Sequence, residues 1–235
     1  MTLEEESGMT STRIALIGVG GTGCALLPLL CALPFDGITL IDGDTVEASN
    51  LERQLLFSQE DVGKPKVHCA ATRQQQLANG KRLVPEFRFV DARNCNDLLQ
   101  GHHLVADCTD DLVVRGLIED CCRNLLIPLV SGAVHGHQVQ VITVHEKIKP
   151  PAESSFFRGR ASEDQLGCEM QQVPAAITTL TAALMALRIR DIINGGSGLV
   201  GVMDLVDGEH GHWMRIQGPG TDEFMDTPVT PLHRG

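Results

Sequence analysis

"RIALIGVGGTGCALLPLLCALP", residues 13–34, decides the fold. Residues 13–20 read as a buried strand, a run of apolar and β-branched side chains that ends on glycine. Residues 21–34 read as a helix opened by glycines. The turn between them, "GVGGTG" (18–23), fits G-x-G-x-x-G. Glycine lets the backbone turn tightly and lets a phosphate reach the N–H groups at a helix N-terminus. That reading places Gly18, Gly20, Gly21 and Gly23 at the phosphates of a nucleotide. Alone, the motif fits any dinucleotide-binding enzyme, or a bare tight turn.

Outward from this unit, strand and helix alternate. Residues 37–42 read as a second strand, 63–80 as a polar helix, 86–92 and 102–110 as strands, and 112–125 as a helix. Residues 127–134 and 137–145 read as neighbouring strands. Residues 146–167 have no periodicity and read as a long crossover loop, which is either mobile or functional. Residues 173–196 form a long apolar helix with Pro174 near its start and Gly195-Gly196 as its stop. "LVGVMDLVDG" and "HWMRIQG" complete a last hairpin. Strands spaced by helices imply right-handed βαβ units. The expected class is α/β: a Rossmann-like, doubly wound, mostly parallel sheet with helices on both faces and a C-terminal antiparallel extension. The expected organisation is a flexible N-terminus at 1–12, one domain at 13–218 and a flexible tail at 219–235.

Composition narrows the function. A chain of 235 residues holds one α/β domain with a full core. The formal charge of −11 argues against binding nucleic acid or an anionic membrane through bulk charge. No apolar run reaches membrane-spanning length, and "MTLEEESGMTST" is not a signal peptide. The eight cysteines have no framework spacing, so they read as reduced, cytoplasmic thiols, and without a CxxC pair a structural zinc is not expected. "HGH" occurs at 135–137 and 210–212; histidines two apart on a strand share a face and can hold a metal, but no third ligand is evident.

The second strand ends in "IDGDTVEASNLERQLL" (41–56), three carboxylates in six residues followed by Asn, Arg and Gln. Asp42 stands where a ribose-binding acid should stand. A dehydrogenase needs little more, yet Arg53, Lys64 and Lys66 bring positive charge to the same sheet edge. A triphosphate under attack needs such cations and a metal, because charge builds on the phosphorus oxygens. Asp110, at the carboxyl end of the fourth strand, is placed to hold Mg²⁺, an oxygen-seeking ion.

"GVGGTG" (18–23), "DGDTVEASNLERQ" (42–54), "DVGKPK" (61–66), "DCTDD" (107–111) with Arg115, and "PLVSGAV" (128–134), in that order, resemble the ThiF/MoeB/HesA family, whose adenylation domain is shared with ubiquitin-activating enzymes. The resemblance implies ATP-dependent adenylation of the C-terminal glycine of a small ubiquitin-like or sulfur-carrier protein ending in Gly-Gly. It implies a homodimer, and a conjugating enzyme or sulfurtransferase downstream. By position, the four glycines wrap the phosphates; Asp42 holds the ribose, with Asp44 beside it; Asn50, Arg53, Gln54 and Lys66 grip the phosphates; Asp110 binds Mg²⁺. The apolar helix at 173–193 also argues for a dimer, because a helix apolar nearly all round must be buried on most faces.

Cys168, between the long loop and the long helix, occupies the place where the family often carries a reactive cysteine. A thiol before a helix N-terminus is acidified by it, whereas Glu163, Asp164 and Glu169 oppose this if close in space. Cys121 and Cys122 read as packing residues. The chain departs from the family in lacking its zinc-binding cysteine pairs and its Arg-rich N-terminus, for which Arg13 is the nearest substitute. "TDN" is "TDD" here, which adds Asp111 as a carboxylate beside the metal. The alternatives are adenylation of a small carboxylate or a tRNA base, and a non-catalytic nucleotide-binding scaffold; Arg53, Lys66 and Asp110 together weigh against the scaffold.

Overall fold

A computed structural model describes residues 12–144, 157, 173–196 and 199–217. Cys168, all of the 146–167 loop except Phe157, and the tail from 219 lie outside the described residues. The elements are β1 (Arg13–Ile17), α1 (Gly21–Cys31), β2 (Gly37–Ile41), α2 (Lys66–Gln74), β3 (Arg82–Glu86), α3 (Cys95–Leu99), β4 (Leu104–Asp107), α4 (Leu112–Leu125), β5 (Leu129–His135), β6 (Gln138–Val144), α5 (Ala175–Ile193), β7 (Val202–Asp207) and β8 (His212–Gln217). One sheet of eight strands runs in the order β3-β2-β1-β4-β5-β6-β7-β8. The five strands from β3 to β5 are mutually parallel. The last three turn antiparallel, each pairing with the strand before it in sequence. The expected class holds, including the antiparallel extension.

Two apolar layers sandwich the sheet. Ile14, Leu16, Leu40 and Val130 pack with Leu27 and Leu30 of α1, Val67 of α2 and Met185 of α5. Ala15, Ile17, Val105 and Leu129 pack with Leu99 of α3 and Ile118 of α4 on the opposite face. Because side chains alternate across a strand, β1 must be apolar at every position to serve both layers, and Ile14 to Ile17 are all 2% exposed or less. From β1 the chain goes one way to β2, and the later connection goes the other way to β4. The carboxyl ends of β1 and β4 therefore flank the crevice where α/β sheets hold ligands.

Three elements differ from expectation. The third strand is 82–86, not 86–92. The alternation of Phe87, Arg88 and Phe89 imitates a half-buried strand, yet those rings are 45% and 66% exposed. The true strand contains Pro85, which is tolerated because β3 is an edge strand and needs no donor on its outer side. The helix expected at 63–80 starts at Lys66, since Pro65 precedes the first helical residue, and closes in a 3₁₀ turn, Gln75–Leu77. The short helix α3 was not anticipated, five residues being too few for a helical period to show.

Candidate active site

β1 ends at the glycine turn. Gly18 has φ +82° and its β-position would lie 2.9 Å from the Cys108 carbonyl oxygen, so only glycine fits where the exits of β1 and β4 press together. Gly20 and Gly21 follow, with α1 starting at Gly21 and Gly23 in its first turn. Asp42, just past β2, reaches across to this turn: its Oδ2 accepts from the Val19 N–H at 2.6 Å and its Oδ1 from the Asp44 N–H at 2.8 Å. Asp42 therefore clamps the glycine turn to the end of β2. Burial pushes its carboxyl above the ordinary range, partly offset by the two N–H donors and by the nearby Lys66 ammonium.

The stretch after Asp42 folds back over the glycine turn. A 3₁₀ turn, Ala48–Asn50, is closed by the Glu47 N–H donating to Asn50 Oδ1 at 3.2 Å. The Asn50 carbonyl then accepts from the Arg53 and Gln54 N–H groups at 3.1 and 2.8 Å. Arg53 Nη1 donates to the Ser49 carbonyl at 3.1 Å and lies 3.3 Å from Glu52 Oε1. Gln54 is 4% exposed; its Nε2 lies 3.9 Å from where a β-carbon of Gly20 would stand. Its Oε1 is buried without a hydrogen-bond partner among the described residues. Buried amide oxygens are nearly always satisfied, so this one calls for a donor from a bound molecule or from water. Lys66, the first residue of α2, is buried, and its Nζ pairs with Asp44 Oδ2 at 3.0 Å. Asp44 is thus the counter-ion of this buried lysine. Lys64 is exposed on the approach to α2.

β4 ends on Asp107, fully buried and fully used. Its Oδ1 accepts from the Thr109 N–H and hydroxyl at 2.9 and 2.7 Å, and its Oδ2 from the Ser131 hydroxyl of β5 at 2.6 Å. Arg115, 2% exposed on α4, donates to the Thr109 and Gly132 carbonyls. These two side chains shape the 107–111 loop and leave Asp110 exposed at its tip. Arg115 also carries the Phe157 ring, 5.9 Å from its guanidinium carbon, and the Phe157 N–H donates to buried Glu119 at 3.4 Å. Asp111 has a structural task of its own: its Oδ1 caps α4, accepting from the Val113 and Val114 N–H groups at 2.7 and 3.2 Å. Asp and Asn cap a helix equally well, so "TDD" performs here the structural task that "TDN" performs.

The glycine turn, Asp42, Asn50, Arg53, Gln54, Lys66 and Asp110 thus meet at one carboxyl edge. The fit to a nucleoside triphosphate rests on the orphaned Gln54 oxygen, the turn that only glycine can make and the buried ammonium of Lys66. For a cation, no group of three His, Cys, Asp or Glu able to hold one occurs among the described residues. Asp110 would share it with phosphate and water oxygens, as Mg²⁺ sites commonly do.

Other candidates fall elsewhere. Arg13 lies at the opposite edge of the sheet from its own protomer's glycine turn, its Nη2 donating to the Gly101 carbonyl at 2.9 Å. The two "HGH" segments sit at neighbouring hairpin ends, where His137 and His210 lie 3.6 and 2.9 Å from Glu209 and Asp207. The seven described cysteines are free thiols. Burial pushes Cys24, below the glycine turn, up to about 12. Asp107 escaped sequence reasoning: its role depends on Ser131, and the only available signal was its place opening "DCTDD".

Known proteins resemble this chain in sequence and in fold. Molybdopterin-synthase adenylyltransferase of Salmonella typhimurium is 32% identical over 184 residues, 78% of this chain and 74% of that protein. Adenylyltransferase and sulfurtransferase MOCS3 of Mus musculus is 31% identical over 210 residues, 89% of this chain, which spans only 46% of that protein. The crystal structure of Escherichia coli MccB with ATP gives a TM-score of 0.74 at 16% identity, covering 91% of this chain and 66% of that one, a likeness of fold alone. The sequence pattern of the ThiF family matches residues 3–223. That match begins before β1 and ends beyond β8, and the chain belongs to the ThiF family.

Proposed function

We propose that this chain uses ATP to adenylate the C-terminal glycine of a small ubiquitin-like or sulfur-carrier protein, for later thiocarboxylate or thioester formation. The carrying observation is that Gln54, whose amide packs beside Gly20 of the glycine turn, keeps a buried oxygen without a partner among the described residues, at the sheet edge that also bears Asp42, Arg53, Lys66 and Asp110. The names of the Salmonella and mouse relatives, both adenylyltransferases, support the reaction class.

The backbone N–H groups of the glycine turn hold the phosphates, and Asp42 orients the ribose. The carrier's terminal carboxylate is ionised at neutral pH and needs no base. It attacks the α-phosphorus, an acyl C–O–P linkage forms, and the bond to pyrophosphate breaks. Lys66 and Arg53 offset the charge that grows on the phosphoryl oxygens. Mg²⁺, when bound at Asp110, would supply further neutralisation. Cys168 is proposed to act afterwards: its thiolate attacks the acyl-adenylate carbonyl, a thioester forms, and AMP leaves. The assembly is proposed to be a homodimer.

Radiolabelled pyrophosphate exchanged into ATP is the test. Exchange should require a carrier ending in Gly-Gly and vanish in Asp110→Ala without loss of fold, since Asp110 is exposed. Equal exchange with the carrier's last glycine deleted overturns the proposal. Cys168→Ala should keep exchange within a few-fold while abolishing any reducible carrier–enzyme adduct.

A further inference from the structure

Phe89 is an exposed aromatic ring held in place by hydrogen bonds. Past β3 the ladder persists for one residue, the Asp42 N–H donating to the Glu86 carbonyl at 3.3 Å. The Arg88 N–H then donates back to the same carbonyl at 3.0 Å, which bends the chain over the exit of β2. Asn94 Nδ2 donates to the Phe89 carbonyl at 2.9 Å and pins it there. The ring comes to rest on Gly43, where a β-carbon would meet ring atoms Cδ2, Cγ and Cε2 at 2.5, 2.6 and 2.7 Å. Three neighbouring ring atoms at nearly equal distance mean that the ring lies flat on the backbone. The side chain as a whole is 66% exposed.

An apolar ring left in water gains nothing for the fold, yet the backbone on either side is tied down to keep it there. Its position is one residue from Asp42. From the reading that Asp42 binds the ribose hydroxyls, on which this inference rests, the base follows directly: it hangs on C1′, beside the carbon that bears the 2′-hydroxyl. We infer that the outward face of Phe89, the face turned away from Gly43, is the stacking platform for the nucleobase, with the Gly43 backbone supporting the ring from behind. A phenyl face and a purine attract by burial and offset stacking, and the contact does not depend on which hydrogen bonds the base offers.

The test uses isothermal titration of the wild-type chain, Phe89→Ala and Phe89→Trp with AMP, ATP and inorganic tripolyphosphate, each with Mg²⁺ present. Base–aromatic stacking predicts that Phe89→Ala weakens AMP and ATP alike, by about 10-fold to 100-fold, leaves tripolyphosphate unchanged, and is rescued by Phe89→Trp. Thermal melts control for folding, which is not at risk at so exposed a position. If wild type binds AMP but Phe89→Ala binds it equally well, the platform is overturned and the adenylation reading stands. If tripolyphosphate weakens as much as AMP, the ring props up the glycine turn through Gly43, and the platform is overturned. If Phe89→Ala binds AMP and ATP as wild type does but loses carrier-dependent pyrophosphate exchange, the ring belongs to a protein-docking surface, again overturning the platform. If wild type binds no nucleotide at all, the adenylation reading fails and the platform fails with it.

Discussion

Lys66 and Asp44 are an unequal pair: the lysine side chain is 8% exposed and the aspartate 54%. Removing the cation leaves a solvated carboxylate, which costs little. Removing the carboxylate strands a buried ammonium, at about 1–3 kcal/mol or more. Asp44→Ala should therefore be the more destabilising in urea unfolding. Lys66→Ala should be the more damaging to pyrophosphate exchange, by about a hundredfold or more if it stabilises the transition state. A reversed order in either assay would mean that the pair is built around the aspartate. Lys66 was legible in the sequence because it follows Asp42 and Arg53 in a set order after a strand. The Val19 N–H that fixes Asp42 was not, because backbone donors carry no letter of their own. Nor was the Gly43–Phe89 contact, which joins two loops that a helix and a strand separate.

Elements were legible where the apolar period was long and illegible where a local rule competed with it. α4 was read to the residue, since Asp111 caps it and fourteen residues show the period plainly. β3 was misplaced because the Phe87–Arg88–Phe89 alternation is a stronger strand signal than a run containing proline, and only the strand order makes Pro85 harmless. Asp111 was read as a carboxylate beside the metal, and its cap geometry adds a helix start to that reading. From that geometry, Asp111→Asn should leave both the melting temperature and exchange near wild type. Asp111→Ala should cost about 1 kcal/mol of stability. A large loss of exchange in Asp111→Asn, with the fold intact, would return the residue to the metal.

At the scale of the whole molecule, a buried polar knot ties α5 to the antiparallel strands. Arg188 pairs with Asp204, both 4% exposed or less, and Asp204 also accepts from Trp213 Nε1 and Arg215 Nε at 3.0 and 2.8 Å. Burial alone would raise the Asp204 carboxyl, but the donors from Arg215, Arg188 and Trp213 outweigh it and hold it below 3.8. A carboxyl depressed in the folded state lends stability above its ordinary value and loses it as pH falls through the folded one. Asp204→Asn should therefore cost about 3 kcal/mol at neutral pH, the gap to wild type narrowing below about pH 3.8 in urea titrations. The same packing alters the case for a dimer. α5 is covered within the protomer by α1, β5 and β6, so its apolarity no longer demands a second subunit. Leu29 and Leu187 remain 37% and 51% exposed, and the family resemblance carries the rest. Light scattering at micromolar concentration should give twice the monomer mass of 25.4 kDa, and a monomer would remove the proposal.

The strand order also sets the sequence of events when the chain refolds. β5 meets β6 across a tight hairpin, His135 opposite Gln138, and β7 meets β8 in the same way, Asp207 opposite His212. β1 meets β4 only by closing a long loop, Ile14 opposite Leu104. Local pairings form early and distant ones late, because loop closure must precede the contacts that reward it. Pulse-labelled hydrogen exchange during refolding should protect Val139 and Val141 before Leu16 and Ala106. The crevice between β1 and β4, where every group of the candidate site meets, would then be the last part of the molecule to come into being.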